Sequence, residues 1–244
     1  MSTSQKNKEV IQKNRRKIFE LEAQINSNKL KVYAIRSAVE QNYNSIMRNY
    51  TSAFLGNHSL TLQNSDEIFR NRVAILSNMD VEGDIEINFR ESMTNQSNID
   101  FLELQAKDNQ MVLEVNQKMT EVNELLISIN RLIMTSNEKN VKFNHENLKT
   151  NKRFVEGEYH PSKASIKDNS ERATNNNKRI KEIKSIADKN KINLQKIHST
   201  TKKNAIEILK NSSEISQRRE KISDNQKNII DNQKEVAKLI SKKN

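Results

Sequence analysis

The sequence predicts an all-α protein: an elongated, segmented, parallel coiled coil, homotrimeric, with short loop interruptions. Two features of composition support this fold. The chain has only three glycines and one proline in 244 residues, and its apolar fraction is 34%. So few apolar side chains do not fill a compact core, but they suffice for a narrow seam along a helix. The third observation is a strict seven-residue period, which a disordered polar chain does not keep.

β-branched side chains recur every seven residues near the N-terminus. The series is Ile11, Ile18, Ile25, Val32, Val39 and Ile46. Three residues after each member come Asn14, Leu21, Asn28, Ile35, Asn42 and Asn49. Because a heptad has three residues from a to d and four from d to the next a, the first series occupies position a and the asparagines occupy position d. The same period returns within residues 68–78, 85–155 and 166–239.

Asparagine at d is the unusual feature of these repeats. A buried amide without partners costs about 1–3 kcal/mol, and a single helix does not satisfy it. We therefore expect these layers to pair across chains, or to hold water or an ion. Three carboxamides around an axis can present their N–H groups to chloride or another small anion, and we expect no other cofactor. The predicted anion-binding layers are Asn14, Asn28, Asn42, Asn49, Asn204, Asn211, Asn225 and Asn232.

Isoleucine at a with asparagine at d, as in Ile222-Ser-Asp-Asn225 and Ile229-Ile-Asp-Asn232, resembles the stalks of trimeric viral and bacterial surface fibres. The chain resembles bacteriophage fibres of the fibritin (neck whisker) type in that short insertions divide its coil. This resemblance implies a parallel homotrimer with polar, ion-holding core layers. The chain departs from that family at its C-terminus, where the predicted helix continues to Asn244 without a small β trimerisation cap.

Three interruptions divide the predicted coil. The phase slips across residues 51–66 and again at 80–84, while Gly157 and Pro161 interrupt the helix at 156–165. The remaining predicted segments are a polar attachment tail at 1–9 and coiled coils at 10–50, 67–79, 85–155 and 166–244. Loops at fixed positions also prevent identical chains from slipping past each other by a whole heptad.

The first interruption carries several apolar side chains. We predict a docking loop for a partner, formed by Phe54, Leu55, Leu60 and Leu62. The alternative, of equal weight, is a tolerated surface loop without a partner.

A second seam lies one residue out of step with the first between residues 112 and 133. It consists of Val112, Val115, Met119, Val122, Leu126, Ile129 and Ile133. Because this seam is apolar at both core positions, burial at about 0.8 kcal/mol per methylene favours a local register shift onto it. The alternative is a helix with two apolar faces that binds a further layer.

Catalysis is not expected. The chain has no cysteine, its four histidines are scattered, and its three glycines form no phosphate-binding loop. Without such motifs, we expect no small-molecule substrate. No apolar stretch approaches the roughly 20 residues that span a bilayer, so we expect no membrane insertion. The net charge of +11 permits nucleic-acid binding, but no basic groove with interleaved aromatic residues accompanies it, and this stays a minor alternative.

These features predict a structural protein. We expect a fibre, whisker or connector of a virion, made in the host cytoplasm, whose partners are further copies of itself and other structural proteins of the virion. The alternative is a cytoplasmic scaffold or tether of the coiled-coil type.

Overall fold

The computed structural model describes residues 2–241, and they are almost wholly helical. In chain order the elements are α1 (Thr3–Tyr50), a π-helical segment (Thr51–His58), α2 (Ser59–Ser77), α3 (Asp84–Val155), a short 3-10 helix (Pro161–Lys163) and α4 (Ile166–Ser241). No strand occurs among the described residues. The prediction of an all-α protein is confirmed.

Side-chain caps explain where two of the long helices begin. Ser2 Oγ accepts the N–H of Gln5 at 3.3 Å, while Gln5 Oε1 accepts the N–H of Ser2 at 2.9 Å. This reciprocal pair is a capping box, which satisfies two N–H groups at the start of α1. Ser165 Oγ accepts the N–H of Asp168 at 3.0 Å and caps α4 in the same way.

Helix α3 ends in a Schellman motif. Glu158 N–H donates to the Arg153 carbonyl at 3.0 Å, and Gly157 N–H donates to the Phe154 carbonyl at 3.1 Å. Gly157 adopts a φ of 77°, a left-handed conformation that glycine reaches without steric cost. The helix therefore stops at Val155, where the seven-residue series is also interrupted.

The chain divides into two units. The first comprises the chain up to Asn44 together with Arg131–Glu207. The second comprises Ser45–Asn130 together with the chain from Ile208 onwards.

In the first unit, α1 and α4 pack side by side through one stripe of each helix. The buried residues of α1 are those at d, namely Asn14, Leu21, Asn28 and Ile35. The buried residues of α4 are those at a, namely Ala173, Ile180, Ala187, Leu194 and Thr201. Asn14 bonds to Ala173 and Asn28 bonds to Ala187, so the residue numbers of both partners increase in the same direction. The two helices therefore run parallel.

In the second unit, α2 and α3 run antiparallel. The rings of Phe69 and Phe101 lie 4.6 Å apart between centroids, and His58 Nε2 lies 3.5 Å from Asp108 Oδ2. From Phe69 back to His58, at the end of the preceding π-helical segment, the contacting residue on α3 changes from Phe101 to Asp108. The residue numbers change in opposite directions, so the two helices are antiparallel. The connection at residues 78–83 therefore reverses the chain, and its length is ordinary for antiparallel helices.

Three expectations about the course of the chain are wrong. Residues 51–66 are helical rather than a loop, because π-helical turns absorb the residue that puts the heptads out of phase. The segments do not all run in one direction, since α3 reverses against α2. Residues 3–9 of the predicted tail belong to α1, while Met1 and residues 242–244 of the predicted segments lie outside the described residues.

The second seam on α3 is the better covered of its two candidate faces. Val112, Val115 and Met119 are half-buried, whereas Leu113 on the first seam is 68% exposed. The local register shift itself stays a prediction. Further along α3, Leu126 and Ile129 of the same seam are exposed.

Candidate oligomerisation interface

Asparagine side chains join α1 to the main chain of α4 in the first unit. Asn14, Asn28 and Asn42 each donate from Nδ2 to a carbonyl oxygen of α4 at 2.9 Å. The accepting residues, in the same order, are Ala173, Ala187 and Thr201. Asn7 makes a fourth bond of this kind to the Ile166 carbonyl at 3.1 Å. We call each such bond an amide rung.

The amide rung uses an acceptor that the helix leaves available. A carbonyl oxygen has two lone pairs, and the helical hydrogen bond occupies only one of them. An asparagine at d on a parallel neighbour fills the second lone pair without breaking the helix. Asn14, Asn28, Asn42 and Asn49 therefore each have a partner within their own chain. Because each amide nitrogen carries a second N–H, anion binding at these layers stays a prediction.

Residues with small side chains at position a accept three of the four amide rungs of the first unit, and Ile166 accepts the fourth. Ala173, Ala187 and Thr201 accept the rungs at d positions 14, 28 and 42. The larger residues Ile180 and Leu194 lie between them on α4 and are also buried. Amide layers and apolar layers therefore alternate along this seam, with Leu21 and Ile35 as the apolar members on α1.

The second unit repeats the amide rungs with a change of register. Asn49 donates to the Ile208 carbonyl, 159 residues further on, at 2.9 Å. Asn57 donates to the Ile215 carbonyl, 158 residues further on, at 2.9 Å, and Asn64 repeats that spacing to Ile222 at 3.0 Å. Asn49 and Asn57 are eight residues apart rather than seven. The π-helical segment between them takes up the extra residue, so the rungs continue.

Aromatic rings and a guanidinium pack against the π-helical segment of the second unit. Phe54 stacks between Tyr50 and His58, with ring centroids 5.7 and 5.2 Å away. Arg219 Nη1 donates to Asn57 Oδ1 at 3.4 Å and would lie 3.3 Å from a Cβ at Gly56. Glycine at this position therefore allows the guanidinium to approach the rung.

The predicted docking residues do not lie on a projecting loop. Leu55 is 64% exposed, but Phe54, Leu60 and Leu62 are half-buried on helical turns. The structure brings no apolar cluster to the surface there. Docking at this segment stays a prediction.

One asparagine of the series makes no rung. Asn71 follows Asn64 by one heptad, yet its Nδ2 is buried and has no hydrogen-bond partner among the described residues. A buried, unpaired amide of this kind costs about 1–3 kcal/mol.

Each helix of the α1–α4 pair uses one of its two core-flanking faces. On α1, positions d and g face α4, as the bond from Lys17 Nζ at g to Asn177 Oδ1 shows at 3.2 Å. On α4, positions a and e face α1. The a/e face of α1 and the d/g face of α4 stay open, and the six α1 residues at a are 42 to 49% exposed.

An open groove lies between these two unused faces in the first unit. One depression of about 600 Å³ is lined by Ile25 and Val32 of α1 and by Ile183, Asn190 and Ile197 of α4. A neighbouring one of about 430 Å³ is lined by Ile18, Glu22 and Asn176, among others. Apolar and amide side chains therefore alternate along the open groove as they do along the closed seam.

The d residues of α4 match those of α1 layer by layer. The α1 series reads Asn7, Asn14, Leu21, Asn28, Ile35, Asn42, Asn49. The α4 series reads Asn169, Asn176, Ile183, Asn190, Ile197, Asn204, Asn211. In the register set by the rungs, each asparagine at d of α1 lies in the same layer as an asparagine of α4. Each apolar residue at d of α1 likewise shares its layer with an apolar residue of α4. Sequence reasoning missed this match, which was visible in the printed sequence and signals the pairing of α1 with α4.

The predicted layers on α4 differ from those on α1 in their bonding. Asn204, Asn211 and Asn225 are exposed, and within the described part of the chain their side chains make no hydrogen bond, nor does Asn232. Binding of chloride or another small anion at these positions stays a prediction.

Many ionisable side chains of the described residues form ion pairs on the surface. A hydrogen bond from Lys107, and then its charge, lowers the pKa of Glu103. Lys149 lowers the pKa of Glu146 for the same two reasons. All four side chains are solvent-exposed. Among the described residues, no group of three or more His, Asp or Glu side chains is placed to hold a metal ion.

None of the described helices is long and apolar enough to cross a membrane. Comparison with known proteins gave no matching family model, no matching curated protein and no matching solved structure.

Proposed function

We propose that this protein is a structural homo-oligomer, a parallel homotrimer of coiled-coil chains that serves as a fibre, whisker or connector of a larger assembly such as a virion. The observation that carries the proposal is the series of amide rungs at seven-residue spacing. Each rung contributes about 0.5–1.5 kcal/mol, less than an apolar residue of similar size. Repeated amides therefore fix direction and register at the expense of stability.

The open faces support association with further copies. In a closed coiled-coil ring, every strand contacts one neighbour through d and g and the other through a and e. The α1–α4 pair makes one such contact and leaves one of each face open. Half-exposed isoleucine and valine at regular spacing along a helix mark an interaction surface rather than a solvated one.

Sedimentation equilibrium across a wide concentration range tests the proposal. We expect a species of about 85 kDa, three times the chain mass of 28.4 kDa. A species that stays at the mass of one chain at every concentration contradicts the proposal. Axial chloride or another small anion forms part of it, held by the second N–H of the amides at d.

A cellular scaffold or tether is the second candidate, since the same interface serves either role. Finding the protein in purified virions, or in the cytoplasm of cells without virus, separates the two locations. Nucleic-acid binding is the third candidate and is carried by net charge alone.

A further inference from the structure

We infer that the open d/g face of α4 receives the a/e face of α1 from a second copy of this chain, in a register set by a second series of amide rungs. The inference rests on the proposed homo-oligomer and specifies which helices meet, through which faces, and at which residues.

The closed seam shows the chemistry that the open face needs. In the first unit, an asparagine at d donates to a carbonyl at a on a parallel helix, and the d residue following that carbonyl is again an asparagine. Thus Asn28 bonds to Ala187, and Asn190 follows three residues later on α4. The carboxamide of Asn190 lines the groove and bonds to no described residue. It is solvent-exposed in the single chain, so it needs an acceptor from another chain only once the open face is buried.

Helix α1 of another copy supplies that acceptor in the matching layer. Its residues at a are isoleucine or valine with free second lone pairs on their carbonyl oxygens. In the observed rung, the asparagine at d of α1 donates to the carbonyl at a of α4. If α4 donates to α1 of the next copy in the same way, Asn190 pairs with the carbonyl of Ile25 in that copy. By the same step Asn176 pairs with Ile11 and Asn204 with Val39. Meanwhile Ile183 and Ile197 meet apolar layers.

The helix that fits is restricted in direction and pattern. Only a parallel helix places its carbonyls in the order that the asparagines of α4 require. Only a helix with the same order of amide and apolar layers avoids burying Asn190 against an apolar residue. Helix α1 meets both conditions, since its seven d residues match those of α4. Because its own d/g face contacts α4 of the same chain, its a/e face is the one available to a second copy.

Each copy thus offers one open face of each kind, and the two kinds are complementary. A contact between unlike faces closes into a ring when the rotation between copies allows it. Three copies close the proposed homotrimer while every α1–α4 pair stays intact.

Cross-linking between single-cysteine chains tests the register, because the natural chain has no cysteine. One chain carries Glu22→Cys at e of α1. The other carries Ile186→Cys at g of α4 together with a tag that makes it heavier. The two chains are refolded together and treated with a short bismaleimide, and the band of intermediate mass is measured. Arg36→Cys, two heptads along α1 at the same position e, replaces Glu22→Cys in the control.

We expect several-fold more of the mixed product from Glu22→Cys with Ile186→Cys than from the control pair. Equal yields from both pairs would mean that no fixed register exists, and would overturn the inference. An assembly of about 85 kDa that gives no mixed product would overturn it while leaving the proposed function intact. A monomer would overturn both the inferred contact and the proposed homo-oligomer. The open d/g face of α4 would then be covered by α3 of the same chain or by another protein.

A second measurement keeps the proposal testable without cross-links. The triple variant Asn176→Ala, Asn190→Ala, Asn204→Ala removes no hydrogen bond within the described chain. We therefore expect unchanged helicity by circular dichroism but a several-fold weaker association by sedimentation. Unchanged association would contradict the second series of rungs.

Discussion

The α1–α4 seam of the first unit and the rungs of the second unit use the same bond under different constraints. In the first unit three of the four accepting residues are alanine or threonine, the fourth is Ile166, and the spacing between donor and acceptor stays at 159 residues. In the second unit the acceptors are isoleucines, and the spacing changes from 159 to 158 between Asn49 and Asn57. The rung therefore depends on the main-chain carbonyl and on phase, and not on one type of side chain at a.

This difference shows how the fold tolerates an extra residue. An insertion into a regular α-helix rotates everything beyond it by about 100°, because each turn holds 3.6 residues. The d residues beyond the insertion would then leave the seam. A π-helical segment winds more residues into its turns and cancels that rotation. Asn57 and Asn64 consequently face α4 again, and only Asn71 fails to find an acceptor.

Deleting one residue tests this account with the largest expected effect. Removing the exposed Leu30 from the middle of α1 should destabilise the first unit by roughly 3–5 kcal/mol. If the d residues on the N-terminal side of the deletion leave the seam, the loss combines the buried Leu21 with the three hydrogen bonds of Asn7, Asn14 and Asn28. Chemical denaturation followed by circular dichroism measures the change.

Deleting Leu55 from the π-helical segment is the matched control. Leu55 is also exposed, but its removal restores seven residues between Asn49 and the next rung. We expect the free energy of unfolding to stay within about 1 kcal/mol of the parent, because the rungs keep their partners and the turns become α-helical. Equal damage from both deletions would show that the π-helical segment does not set the phase.

Substituting an apolar layer should have the next largest effect. Leu21→Ala empties a buried d position that is 8% exposed, and such truncations cost about 2–5 kcal/mol. Leu30→Ala, at a residue that is 73% exposed on the same helix, should change stability by less than about 0.5 kcal/mol. A small effect at both positions would mean that the seam is not closed in solution.

The sequence predicted much of this seam but not its partners. Spacing of three and four residues placed Asn14 at d and Ile11 at a, and Gly157 and Pro161 marked the end of α3. The acceptors could not be predicted, because a main-chain carbonyl has no signature in the sequence. Nor does a heptad repeat tell whether its neighbour belongs to the same chain. Residues 51–66 were interpreted as a loop because an extra residue absorbed by π-helical turns and a loop both appear as a slip in phase.

The smallest expected effect separates a rung from an amide without one. Asn64 and Asn71 lie one heptad apart on α2, and both are at d. Asn64→Ala removes a hydrogen bond to the Ile222 carbonyl and should destabilise the protein by about 0.5–1.5 kcal/mol. Asn71→Ala removes an unpaired buried amide and should leave stability unchanged or raise it by about 1 kcal/mol. Both variants gain the same helix propensity, so the difference between their denaturation midpoints reports the rung of Asn64 together with the relief of the unpaired amide of Asn71. If the two variants unfold at the same denaturant concentration, the hydrogen bond of Asn64 contributes nothing and the rungs do not set the register of the second unit.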